Sequence, residues 1–296
     1  MKEFFDEYGW TLITLIGGVL GLSLAFGLTM GKDSQLGMVI DTYLNGIVKS
    51  PSEPIEFTLK TDNDSDGKIS KGDIITIGSG LDMNGDGADD TFRVMELNGN
   101  EATVFAMENY KSVKYSETER LYEFAVEETD YVNGVRYKES TLDKTMNEYF
   151  DSLPELVKKA VVKSQPLTQN MYKWSSTSDA TADLNGTYTE GGATKNYSLK
   201  KMYSTDIGSK RVYAPDLSDF IRYYGGNVTE AQMQTDFFGN NVKQDRRIWL
   251  RSCTYKTTSG DEKRARVLSS SMGVTGAAGD INTVQETHPM FTIELN

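Results

Sequence analysis

Cysteine and histidine are almost missing from this 296-residue chain, which carries one of each, Cys253 and His288. A lone cysteine excludes an internal disulfide, and a lone histidine excludes the usual zinc sites built on several imidazoles. Positive charge is also short. The 31 Lys and Arg residues face 43 Asp and Glu, a formal net charge of −12, and a surface of that sign repels phosphate backbones. Nucleic acid is therefore not expected as a partner. The acidity does not signal disorder, because 38% of the residues are hydrophobic, with 16 Tyr and 12 Phe, enough for a core. A domain without disulfides must take its stiffness from elsewhere, and a bound cation is one source.

Charge of either sign is absent from Tyr8 to Gly31, a stretch with the length needed to cross a bilayer as a helix, with Tyr8 and Trp10 at the interface. An uncleaved anchor is expected rather than a signal peptide. The residues ahead of the run carry Glu3, Asp6 and Glu7 against Lys2 alone, the apolar run is longer than a signal-peptide core, and Ser23-Leu24-Ala25 lies inside it. Gly17, Gly21 and Ala25 recur every fourth residue, the spacing that lets two membrane helices approach closely, so a homo-oligomer or filament through them is a candidate assembly. The alternative is that glycine is simply common in membrane helices. Leu36, Ile40, Tyr43 and Ile47 then predict an amphipathic stalk helix behind Asp33 and Ser34, ending near Pro51.

Two acidic loops follow. Asp62, Asp64 and Asp66, with Gly67, the Lys68 carbonyl, an apolar Ile69, Ser70 and Asp73, occupy the positions of a twelve-residue calcium loop. A hard cation needs six to eight oxygens, and alternate residues of a tight turn deliver them where Gly67 permits the reversal. A second loop places Asp82, Asn84, Asp86, Gly87, the Ala88 carbonyl and Asp90 in the matching positions. The flanking segments Ile55 to Leu59, Ile74 to Ile77 and Thr91 to Leu97 read as strands, so the loops are expected to stiffen rather than to switch. Asx-rich turns without metal are the alternative. Calcium implies a calcium-rich compartment, which puts the C-terminal body outside the cytoplasm and the chain in the cell membrane as a single-pass protein.

Past residue 91 the pattern is α+β. Strands are predicted over Phe92 to Leu97 and Ala102 to Met107 around a turn at Asn98-Gly99-Asn100. Helices are predicted over Ser140 to Phe150, from a capping box at Ser152 and Glu155 through Val162, and over Asp216 to Tyr224 before Gly225-Gly226. Residues 175–197 read as a surface loop or loose hairpin. The expected organisation is an anchor and stalk over 1–50, a calcium-loop segment over 51–91 and an α+β domain over 92–296.

Three resemblances rest on quoted residues. Glu7-Tyr8-Gly9 ahead of the apolar helix resembles the head of Flp-type pilins over the first tenth of the chain. The first loop resembles EF-hand and dockerin loops, and the second resembles integrin-type and thrombospondin-type calcium repeats. Phe92-Arg-Val-Met95, Ser140 to Asn147, Ile248-Trp249-Leu250-Arg251-Ser252 and His288-Pro289-Met290-Phe291 together resemble an uncharacterised bacterial surface-domain family. That last likeness implies a C-type-lectin-like fold, akin to formylglycine-generating enzymes, and brings no catalytic residues with it.

Trp249 is expected in the core and Arg251 in a structural polar contact. Cys253 and His288 lack an identifiable third group to orient them, so no catalysis is expected. Arg246, Arg247, Lys263, Arg264 and Arg266 read as a solvated strand face. Two functional readings remain open: a membrane-tethered module that binds a surface ligand, glycan or protein, and a pilin-like subunit with its helix in a filament core.

Overall fold

The structure is a computed structural model that describes residues 55–295 apart from 79, 128–129, 165–168, 176–183, 191, 206–208, 240–245, 254–262 and 271–277. The expected anchor, stalk and Gly17/Gly21/Ala25 seam lie outside the described residues. Within them, no helix is long and apolar enough to cross a membrane.

Residues 55 onward form a mixed α/β body made mostly of strands with few helices. In chain order the strands open with β1 (Phe57–Thr61), β2 (Ile74–Ile77), β3 (Phe92–Asn98), β4 (Glu101–Ala106), β5 (Lys111–Lys114), β6 (Tyr122–Glu127) and β7 (Asp130–Gly134). Helices α1 (Thr141–Ser152) and α2 (Glu155–Ala160) follow, then β8 (Gln169–Ser175), β9 (Leu184–Glu190), β10 (Ala193–Thr205) and β11 (Val212–Tyr213). Helix α3 (Leu217–Tyr223), β12 (Asn227–Thr229) and α4 (Glu230–Met233) precede β13 (Arg247–Cys253), β14 (Arg264–Ser269), β15 (Ala278–Asp280), β16 (Val284–Thr287) and β17 (Met290–Glu294).

One sheet has the order β1-β2-β3-β4-β17-β11. The strands that flank the first acidic loop thus belong to the same sheet as the β3-β4 hairpin and the C-terminal strand. A second sheet runs β12-β9-β10-β8-β13-β14-β15, with β16 against β13 and β5, and β6 pairs with β7 alone. The β3-β4 turn is tight: Asn98 pairs with Glu101, and Gly99 between them takes φ +64°, open to glycine at little cost.

Alternation along the strands feeds two cores. Val94, Val104, Phe291, Ile293 and Trp249 enter one cluster, which α1 covers with Leu142, Met146 and Tyr149. Phe105, Met290, Ile248 and Leu250 point the opposite way into a second, which α3 covers with Leu217, Phe220 and Ile221. Strands buried on both faces read as continuous apolar runs, the pattern of Ile248-Trp249-Leu250.

The helix ends show which local signals operate. Ser140 caps α1 by accepting from the Asp143 N–H at 3.1 Å. Asp216 and Asp219 form a reciprocal capping box on α3. Its far end is a Schellman turn: the Gly226 N–H donates to the Ile221 carbonyl and the Gly225 N–H to Arg222, with both glycines at positive φ. The capping box predicted at Ser152 and Glu155 does not form. Ser152 belongs to the last turn of α1 and donates its hydroxyl to the Glu148 carbonyl at 2.7 Å, while Pro154 precedes α2 with no side-chain cap. Within residues 175–197 the hairpin alternative is found, as β9 and β10 pair antiparallel around Gly192; the side chains of β10 from 197 on are not described.

Candidate metal centre

The first loop bridges β1 and β2, and the second lies between β2 and β3. In the first, Asp62 accepts the Ser65 N–H on Oδ1 at 2.7 Å and the Gly67 N–H on Oδ2 at 2.8 Å. Asp66 accepts the Lys68 N–H at 2.7 Å. The Asp73 carboxylate closes the loop by accepting the Asn63 N–H at 2.9 Å and, on its other oxygen, the Ser70 N–H at 2.7 Å and hydroxyl at 3.0 Å. Ser70 Oγ also lies 3.1 Å from Asp64 Oδ2.

The second loop repeats this pattern. Asp82 accepts the Gly85 N–H on Oδ1 at 2.7 Å and the Gly87 N–H on Oδ2 at 2.9 Å. Asp86 accepts the Ala88 N–H at 2.9 Å, and Asp90 accepts the Met83 N–H at 2.9 Å. Asn84 accepts the Asp86 N–H at 2.9 Å and donates to the Asp86 carboxylate at 3.1 Å. Residue spacing matches Asp90 with Ser70, eight positions past the first aspartate in each loop. The hydrogen bonds match it instead with Asp73, because each of these two accepts the N–H that follows the first aspartate. The second circuit is three residues shorter, which one sequence without coordinates does not reveal.

Glycine is required where the chain reverses. Gly67 and Gly87 take φ +71° and +87°, aiming their N–H groups at the first carboxylate of each loop. Such N–H donors favour the ionised form, and the Gly67 bond, helped by Ser65, holds the Asp62 carboxyl below its ordinary range.

Carboxylate oxygens of Asp62, Asp64 and Asp66 lie within 4.8 Å of one another, a separation that one hard cation can span. Asp90 differs from its counterpart. It is 4% exposed, and among the described residues its Oδ1 has no hydrogen-bond partner. Burial pushes this carboxyl up to about 6 against the Met83 N–H, and the charges of Glu108, Asp82 and Asp86 add to the rise. Glu108 is held close by Thr91, whose N–H and hydroxyl reach its two oxygens at 2.9 and 2.6 Å. The buried Tyr149 hydroxyl is likewise unpartnered among the described residues. Burying a carboxylate oxygen without a partner is costly, and a divalent cation would remove that cost. Lys68 and Ala88 enter the candidate set through their carbonyls. The first-loop residues therefore fit calcium, with hard oxygen donors, no soft ligand and three carboxylates close enough to share one ion; among the described residues Asp82, Asp86 and Asp90 are not gathered into such a group.

Trp249 is fully buried, stacked edge-on to Tyr115 and donating to the Val113 carbonyl at 2.9 Å. Arg251, also fully buried, donates to the Ala214 carbonyl at 2.6 Å and to Asp219 at 2.9 Å. Ser252 donates to Asp216, so a polar knot locks α3 onto β13. That Asp216 caps a helix is legible from sequence; that Arg251 and Ser252 meet it needs the fold. His288 is buried with its ring nitrogens 2.9 Å from the Ala106 carbonyl and 3.1 Å from Glu286, which also pairs with Arg246 at 2.6 Å. Arg246 and Lys263 of the basic stretch are thus engaged, Lys263 by Glu119. The Cys253 side chain is outside the described residues.

No family profile, curated protein or solved structure matches the chain.

Proposed function

We propose that this chain is a calcium-stabilised binding module of a bacterial cell surface, held in the membrane by its N-terminal helix, with a C-type-lectin-like body outside. The observation that carries the calcium reading is Asp90: a buried carboxylate with one oxygen unpartnered among the described residues, closing a loop whose hydrogen-bond circuit repeats that of the first acidic loop. The charge-free run from Tyr8 to Gly31 supports the anchor, and a calcium-rich exterior is where such loops are filled. The quoted motifs around Trp249 and His288 support the lectin-like assignment. The spacing of Gly17, Gly21 and Ala25 behind Glu7-Tyr8 favours, as a second reading, a pilin-like subunit bearing the same body outside a filament.

The test is thermal unfolding of the full chain in detergent with calcium, with magnesium and with chelator. At ten times the dissociation constant, linkage gives about 1.4 kcal/mol per site, a melting shift of a few degrees. Magnesium is expected to do less, because it demands a near-octahedral set. Melting temperatures indifferent to both calcium and chelator would show the loops to be metal-free turns.

A further inference from the structure

A cavity of about 270 Å³ opens between the first sheet and α3. Its floor carries hydroxyls. Thr103 and Thr292, on the paired strands β4 and β17, hold their oxygens 3.0 Å apart, and the buried Tyr213 and half-buried Ser164 line the same cavity. On the wall stands Asp219, its side chain 15% exposed, with Oδ2 pinned by the Arg251 guanidinium at 2.9 Å and the Asp216 N–H at 2.7 Å. Met95, Met290 and the ring of Tyr223 supply apolar surface. The rim reaches the first acidic loop: Lys71 lies 5.4 Å from the centre of the Tyr223 ring and donates to the Arg222 carbonyl at 3.4 Å.

Charge around this cavity cancels. In the lining, Glu96 and Asp219 are matched by Lys71 and Arg222, and Asp219 is already paired with the buried Arg251 behind it. An anion or a cation gains little there. The volume lies just below the range for drug-sized ligands, which suits one ring rather than an extended chain. What the lining offers is a row of hydroxyls and an immobilised carboxylate beside a small apolar face.

We propose that the cavity binds a neutral sugar ring, its hydroxyls met by Thr103, Thr292 and Asp219 and its C–H face laid against Met95, Met290 and Tyr223. The proposal rests on the reading of the chain as a surface binding module and names the class of ligand. Asp219 serves two partners, since it also holds Arg251. Thr103 is the cleaner handle: half-buried, on a regular strand, and replaceable by an isosteric valine.

The experiment titrates the full chain, in a detergent without a sugar headgroup, with methyl glucoside, methyl mannoside, methyl galactoside and N-acetylglucosamine by ligand-observed NMR. Inorganic phosphate and ethylammonium are the charged controls. At least one sugar is expected to bind, Thr103→Val to weaken it about three- to tenfold in a chain that still unfolds cooperatively, and Thr103→Ser to restore it. Silence from all four sugars, preference for either charged control, or equal binding by Thr103→Val would overturn the proposal. Release of the body from intact cells by external protease reports surface display independently, so the module reading and the sugar assignment can fail separately.

Discussion

The two acidic loops run the same hydrogen-bond circuit, yet they leave different things undone. In the first, the closing carboxylate of Asp73 is fully buried and both oxygens are used, by Asn63 and Ser70. In the second, Asp90 is almost as deeply buried, but among the described residues only Oδ2 is used. The missing donor is the equivalent of Ser70, which the shorter loop does not contain. A loop can therefore satisfy its closing charge internally or leave it for a ligand, and the choice turns on three residues of length. The first loop meets its closing charge with its own donors; in the second, a cation bound as proposed would take that place.

The largest effect that would break this contrast is expected at Asp73. Asp73→Asn replaces an acceptor oxygen by an NH₂ group facing buried donors, and each mismatch of this kind costs about 1–3 kcal/mol. A loss on the order of 2–4 kcal/mol is expected in urea unfolding, in chelator as much as in calcium. A loss confined to calcium would mean that Asp73 works only as a metal ligand.

An acid limit sharpens the comparison, since a half-buried carboxylate elsewhere in the body sets the window in which the loops can be compared. Burial alone would raise the Glu286 carboxyl, but the hydrogen bonds and charges of His288 and Arg246 outweigh it and hold the group at about 2. A carboxyl depressed in the folded state adds stability above its unfolded value, near 4.5, and that stability is lost as pH falls toward 2. The loss is expected to reach up to roughly 3 kcal/mol, and Glu286→Gln should flatten the decline. An unchanged acid profile in that variant would assign the decline to other groups.

The smallest effect, and the most diagnostic, is expected at Asp90. In chelator, Asp90→Asn removes an uncompensated buried charge and should leave stability unchanged or raise it by about 1 kcal/mol at neutral pH. In calcium it should abolish the second loop's share of the melting shift, so that the wild-type and variant melting temperatures change order between the two conditions. If Asp90→Asn is as damaging in chelator as Asp73→Asn, the two loops are equivalent and the contrast fails.

Most of the fold's local grammar was legible in the residues. The Asn98-Gly99-Asn100 turn between two strand-like runs marked the β3-β4 hairpin, Ser140 and Asp216 announced their helices, and Gly225-Gly226 ended α3. The failure at Ser152 is informative: a Ser-x-x-Glu spacing caps a helix only if the serine is free of the preceding one, and here α1 already includes it. The two Asp/Asn/Gly turns were legible too, because residue spacing within a tight turn is a local property. That Asp90 accepts the Met83 N–H as Asp73 accepts that of Asn63 was not legible, since it depends on how the loop closes.

The order of residues by itself determined the acidic surface, the charge-free N-terminal run, the two Asp/Asn/Gly turns and the two-sided strands, since each depends on neighbours a few positions away. Only the tertiary structure decided that Asp90 Oδ1 has no donor among the described residues, that Arg251 and Ser252 would meet Asp216 and Asp219 across more than thirty residues, and that β4, β17 and α3 would enclose a cavity. Those outcomes depend on desolvation and on contacts between segments far apart in the chain, and neither is a function of local spacing.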